Sequence, residues 1–92
     1  GRARQEQQAA QARAQYLDEL AAKQPATWRT VETLIQTKVA KKYDAAVSLL
    51  VDLRDLAARE QRTPAFEAAL RKLRESHVAK PSLLRRLLQA RL

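Results

Sequence analysis

Tyr43-Asp44-Ala45-Ala46-Val47-Ser48-Leu49-Leu50-Val51-Asp52-Leu53-Arg54-Asp55-Leu56-Ala57-Ala58-Arg59 is the stretch that decides the fold. At 100° per residue, Leu56, Leu49, Leu53, Ala46, Ala57, Leu50, Val47, Ala58 and Val51 cover an arc of roughly 220°. A helix packed on a single neighbour needs only about 100°. The stretch therefore predicts a helix touched from two sides, at the centre of its domain. Asp44, Ser48, Asp52, Asp55 and Arg59 fill the remaining arc and read as a solvated strip. Arg54 is the one polar residue inside the apolar arc. Its stem can cover apolar surface while the head reaches an edge, and a guanidinium placed there needs a partner. A structural pairing with a carboxylate or helix-end carbonyls is the plainer reading, and a binding role is the alternative.

Working outward, three prolines at 25, 64 and 81 punctuate a chain otherwise made of strong helix formers. No segment alternates as a strand would. The pattern predicts an all-α fold of about five helices in antiparallel hairpins. The first runs from about 2 to 23, the second from Pro25 to about Lys38, and the third over Tyr43 to Arg59. The fourth starts with Thr63 as N-cap and Pro64 at its first position and runs to about His77. The fifth runs from about Ser82. In the second, Trp28, Val31, Ile35 and Val39 recur at helical spacing with Leu34 beside them, one apolar face. Val39 to Lys42 reads as a connection, its lysines favourable to the end of the preceding helix. In the fourth, Phe66, Ala69, Leu70, Leu73 and His77 share a face. Residues 1–24 are read as an N-terminal polar helix or extension, because Arg2 to Gln15 contain no large apolar residue. Residues 25–92 are read as the helical-hairpin domain. The extension is either solvated, the tail of an upstream domain, or a surface for a homodimer through residues 1–24.

The chain has 92 residues, with 18 basic, 10 acidic, one His, one Gly and no Cys. Its apolar residues include 18 Ala, which leaves 24 larger side chains for a core. Missing Cys excludes thiol catalysis and a Cys-based zinc site within the chain. One Gly excludes a P-loop or dinucleotide turn. No run approaches the roughly 18 apolar residues of a membrane span, and no secretory signal is seen, so no membrane partner and a cytoplasmic setting are expected. The absence of an initial Met suggests a piece of a longer protein. No catalytic residue, no metal ligand and no cofactor is expected in the chain, which reads as non-enzymatic.

Two constellations remain. Residues 62–92 carry eight basic and two acidic residues, a net +6 of the chain's +8. Arg62, Arg71, Lys72, Arg74, Lys80, Arg85, Arg86 and Arg91 form a candidate basic surface, able to attract phosphates by releasing counterions. No aromatic lies among them to stack bases, and the last helix is rich in Leu where base-reading amides are wanted. A solvated face is the plainer reading, with non-specific nucleic-acid binding second. Leu84, Leu88 and Leu92 form a candidate apolar contact on the final helix. His77 reads as a packed or capping residue rather than a general base. Glu19–Lys23, Asp55–Arg59 and Glu67–Arg71 have the favourable i, i+4 order for weak intrahelical pairs.

The run from Tyr43 to Arg59, the turn at Thr63-Pro64-Ala65-Phe66, the segment Leu70-Arg71-Lys72-Leu73-Arg74, His77 and the ending Lys80-Pro81-Ser82-Leu83-Leu84-Arg85-Arg86-Leu87 together resemble the C-terminal helical region of bacterial SWIM zinc-finger family proteins. The Trp28 helix and Lys41-Lys42-Tyr43-Asp44 are similar too, so the resemblance spans about residues 20–92. It implies a zinc-binding module upstream in a parent protein, with ligands in Cys-x-Cys and Cys-x-His arrangements. None of those ligands exists in this chain, so zinc is expected only in that upstream module. Tyr43 to Ala46 also resembles the Tyr-x-x-Ala opening of a tetratricopeptide repeat helix, but the fuller signature does not align at a period of 34, so the likeness is one of shape. Together these readings point to a helical protein-interaction module with a protein partner, and second to an accessory nucleic-acid-binding domain that uses the basic third.

Overall fold

The computed structural model describes residues 1–92. It consists of five helices and no strand: α1 Arg2–Ala21, α2 Gln24–Gln36, α3 Ala40–Arg59, α4 Thr63–Ser76 and α5 Pro81–Gln89. The all-α array expected from the sequence is what forms. Prolines occupy the first turns of α2, α4 and α5, where their missing N–H costs nothing.

With its one glycine at position 1, the chain closes α2, α3 and α5 on ordinary residues held left-handed: Lys38, Gln61 and Arg91, with φ of 60°, 58° and 60°. After α3 the Arg62 N–H reaches the Ala57 carbonyl at 2.8 Å and the Gln61 N–H the Ala58 carbonyl at 3.2 Å. After α5 the Leu92 N–H reaches the Leu87 carbonyl at 2.8 Å and the Arg91 N–H the Leu88 carbonyl at 3.0 Å. Both are Schellman closures. The second folds Leu92 back into the core, 6% exposed, where Leu87 is also buried. Leu92 is therefore part of the core and leaves the apolar contact drawn from the sequence. At the end of α2 the Thr37 hydroxyl donates to the Leu34 carbonyl at 2.6 Å and accepts the Val39 N–H at 3.2 Å. This turn ends α2 before Val39, which is 50% exposed rather than part of the buried face.

Two element boundaries differ from the sequence reading. α3 begins at Ala40, so Lys41 and Lys42 lie in its first turn instead of in a connection. Ala-Lys-Lys is good helix sequence, and the chain reversal is complete by Lys38. In α4, Thr63 is the first helical residue and Arg62 the cap, with no side-chain capping bond.

One cluster of buried apolar side chains joins all five helices. α3 supplies Tyr43, Ala46, Val47, Leu50, Leu53, Leu56 and Ala57 to it and meets each of the other four helices. The wide apolar arc is thus divided among α2, α4 and α5. α1 adds Leu17 and Leu20, so residues on both sides of the 24/25 boundary share the core, while residues 1–12 are exposed along a helix that runs past it. Trp28 of α2 and Phe66 of α4 also meet, their ring centroids 5.9 Å apart at 42°.

Leu50 is fully buried and Leu53 is 3% exposed. Truncating a buried Leu to Ala costs about 2–5 kcal/mol, part transfer and part cavity, and a domain of this size holds about 5 kcal/mol. Leu50→Ala or Leu53→Ala should therefore unfold a large fraction of the molecules. Leu88→Ala, at an exposed site, should shift stability by less than about 0.5 kcal/mol. Circular-dichroism melts of the three variants check this; equal small effects would remove α3 from the centre of the fold.

Candidate functional site

On the strip of α3 that reads as solvated, Asp44, Ser48 and Arg59 are exposed as expected, but Asp52 and Asp55 are partly covered. Arg13 of α1 reaches over them, its guanidinium 2.8 Å from an Asp52 carboxylate oxygen and 2.9 Å from one of Asp55. The Tyr16 hydroxyl donates to the second Asp52 oxygen at 2.6 Å, and the Arg13 guanidinium sits 5.4 Å from the Tyr16 ring centroid. One α-turn further on, Arg59 donates to the Ala14 carbonyl at 3.2 Å and pairs with Asp18 at 2.8 Å. The Asp52 side chain is left only 14% exposed. Asp52 and Asp55, expected to point apart into water, are thus bridged by one cation. The missed signal was periodicity: Arg13, Leu17 and Leu20 are spaced i, i+4, i+7, so Arg13 continues the buried stripe of α1.

The same logic recurs at the other edge of α3. Arg86 of α5 donates to Asp44 at 2.7 Å and to the Ser82 carbonyl at 3.2 Å. Arg54 donates to the Ala90 carbonyl at 3.0 Å, closing the C-terminal end of α5, and lies 3.4 Å from its neighbour Asp55. The structural pairing favoured for Arg54 is what forms. All four aspartates of the chain are thereby engaged, each with an arginine of another helix. The intrahelical pairs expected at Glu19–Lys23, Asp55–Arg59 and Glu67–Arg71 do not form. Asp55 and Arg59 pair instead with Arg13 and Asp18 of α1.

His77 caps α4 and is 3% exposed. Its Nε2 lies 2.9 Å from a Glu32 oxygen of α2, and its Nδ1 lies 3.0 Å from the Lys80 Nζ. An ammonium can only donate, so Nδ1 offers its lone pair and the ring proton sits on Nε2, donated to Glu32. The imidazole ties the α4–α5 turn to α2, with no hydroxyl nucleophile in the arrangement. No group of three or more His, Cys, Asp or Glu is arranged to hold a metal ion. No buried side-chain polar atom lacks a partner.

The concave features are small. A depression of about 170 Å³ lies between α2, α3 and α4, lined by Trp28, Phe66, Leu53 and Ala57 with Gln24, Glu60 and Arg62 at its rim. Another of about 210 Å³ lies between α1 and α2 beside Tyr16, Leu20 and Thr27.

Of the eight residues of the candidate basic surface, Arg86 alone finds a carboxylate, and Lys80 is taken up by His77. Arg62, Arg71, Lys72, Arg85 and Arg91 are exposed, Arg74 is half-buried, and none of these six is in an ion pair. In the candidate apolar contact, Leu88 is 78% exposed and Leu84 half-buried. Val78, in the α4–α5 turn and not singled out from the sequence, is 69% exposed. No helix is long and apolar enough to cross a membrane. Comparison with known protein families, with curated proteins and with solved structures gave no match.

The arginine bridge makes two tests. Asp52→Ala should cost about 1–2 kcal/mol, because hydrogen bonds to charged groups are stronger than the neutral kind, where an exposed aspartate would have cost well under 1 kcal/mol. A double-mutant cycle of Arg13→Ala with Asp52→Ala should show coupling of about 0.5–1 kcal/mol, held down by the exposure of Arg13. Deleting residues 1–12 should leave the melting temperature nearly unchanged, whereas deleting 1–15 should lower it.

The hydrogen bond to Asp52, then burial, hold the Tyr16 hydroxyl above its usual value near 10. The protonated phenol is the form that the fold favours. Its contribution is complete below pH 10 and is lost as pH rises through the elevated value. The stability difference between the native chain and Tyr16→Phe should therefore be constant from pH 7 to about 9 and shrink above about 10, read by thermal melts across that range.

Proposed function

We propose that this chain is a non-enzymatic helical protein-interaction module, the C-terminal domain of a larger SWIM zinc-finger-type protein whose zinc is bound upstream. We read its hairpins as an array of the tetratricopeptide-like kind, which offers stacked helices as a contact surface. The observation that carries the reading is the pairing of charges. The fold spends every aspartate on bridges between helices and leaves seven of the eight cations of the C-terminal third without a carboxylate, in a third that also exposes Leu88 and Val78. Leucine and valine left out of a core in the company of unpaired arginines serve contact better than stability. A cytoplasmic setting fits the absence of Cys.

A second reading is favoured by the same cations: an accessory nucleic-acid-binding domain in which Arg62, Arg71, Lys72, Arg74, Arg85 and Arg91 contact phosphates. The two separate on one measurement. In the parent protein, a photo-reactive residue at position 88 should give a discrete protein adduct in the native cell, and one at Thr33, on the far side of α2, should not. Fluorescence anisotropy with a labelled DNA or RNA duplex should show negligible affinity at physiological salt. Micromolar affinity with a steep salt slope, and no protein adduct at 88, would replace the first reading by the second.

A further inference from the structure

We infer that His77 is a proton-operated switch for the side chain of Lys80: when the ring takes up one proton it releases the Lys80 ammonium into water and keeps its own hold on α2. The ring is 3% exposed, and both of its nitrogens are occupied, by groups of opposite charge. Nε2 lies 2.9 and 3.2 Å from the two Glu32 oxygens, and Nδ1 lies 3.0 Å from the Lys80 Nζ. A carboxylate only accepts hydrogen bonds, and an ammonium only donates them. One state of the ring satisfies both neighbours, the neutral one with its proton on Nε2. Imidazole is also the side chain that ordinarily changes charge between about pH 5 and 8.

Charging the ring has a one-sided result. A proton from water bonds to Nδ1, whose lone pair is then no longer there for Lys80. The ammonium keeps its three protons, so two donors and two positive charges would stand 3.0 Å apart. That contact must open. On the other side Nε2–H still donates to Glu32, now from a cation to a carboxylate, which is the stronger kind of hydrogen bond. Lys80 is free to leave. It is half-buried, and its stem of four carbons is flexible. Its backbone stays in place, because the Lys80 N–H donates to the His77 carbonyl and the Lys80 carbonyl accepts the Leu84 N–H, each at 3.0 Å. Glu32 of α2 and Lys80 of the turn are the charged groups that touch the ring. Arg74 and Glu75 of α4, Tyr43 and Asp44 of α3 and Arg86 of α5 make no side-chain hydrogen bond or ion pair with it, and Asp44 and Arg86 hold each other. The exchange thus adds one positive charge to the domain and sets a second one loose at the start of α5.

The test is nuclear magnetic resonance on the whole labelled chain, where one histidine gives one set of ring signals. At about pH 8 Nε2 should carry the ring proton, Nδ1 should be bare, and the Lys80 ε-protons should show cross-relaxation with the ring. On lowering the pH to about 5, the ring should titrate in one step. The contact with Lys80 should vanish with the same midpoint, while Nε2–H stays protected by Glu32. Lys80→Met keeps the stem and removes the ammonium, so its ring should take up the proton at higher pH than the native ring. Glu32→Gln should do the reverse. The hold of Lys80 on the ring is present above the midpoint and lost as pH falls through it. The melting temperature of Lys80→Met should therefore lie below the native one at about pH 8, and the deficit should shrink below the midpoint. The inference is overturned if the neutral ring carries its proton on Nδ1, if Lys80 stays on the ring through the titration, if the chain unfolds before the ring titrates, or if the ring of folded Lys80→Met titrates where the native ring does. Should that variant fail to fold, the spectra of the native chain decide alone.

Discussion

α3 meets all four of its neighbours, and a helix so placed has little surface left for water. The chain has only 24 apolar side chains larger than Ala, too few to give every helix its own partner face. The solution is to share one helix. Its apolar arc feeds α2, α4 and α5, and the arc that remains must accept α1 and the edge of α5. Along that arc stand aspartates. Bringing a second helix onto a row of carboxylates would cost several kcal/mol in desolvation if they were left unpaired. Arginines offset the penalty: Arg13 of α1 against Asp52 and Asp55, and Arg86 of α5 against the more exposed Asp44, while Arg59 of α3 itself reaches Asp18 of α1. Apolar matter decides that the helices pack. The arginine–aspartate bridges fix how α1 and α5 lie on α3.

This use of charge does little to the balance at the surface. The bridges take up four aspartates and three arginines, so the excess of 18 basic over 10 acidic residues is left almost unchanged. The cationic character of residues 62–92 is therefore one of composition, with Arg86 the one cation there that finds a carboxylate. Whatever meets that surface meets arginines that already lack internal partners, so their pairing with an external carboxylate breaks nothing within the fold.

The sequence reading recovered what depends on periodicity and missed what depends on tertiary approach. The central position of α3, the five elements and the capping role of His77 follow from helical spacing and proline placement, which are local. The left-handed turns at Lys38, Gln61 and Arg91 were hidden because the residue that marks such turns, glycine, is absent from all three. With them was hidden the burial of Leu92, which depends on the closure after α5. Asp52 and Asp55 were misread as solvated for a different reason: helical wheels assign polar residues to water, and only the arrival of Arg13 from a segment 39 residues earlier than Asp52 shows otherwise. In the candidate site, the basic residues and Leu88 were readable one by one. Which of the cations stay free was not, since that depends on where the acids go.

The leucines of α5 show how far stability alone explains this chain. A nine-residue helix that rests on one side of a domain needs an apolar stripe, and Leu83 and Leu87 provide it, both essentially inaccessible to solvent. Leu92 is drawn in by the Schellman closure, where a hydrophobic residue after the left-handed position commonly packs against the last turn. Leu84 covers the edge of the core. Leu88 does none of this. At 78% exposure it adds nothing that a lysine or glutamine would not supply as well, and both of those have a helix propensity close to that of leucine. Leu88, and Val78 in the turn before α5, are thus the large apolar side chains of the C-terminal third that stand outside the core, and the stability of the fold does not require either.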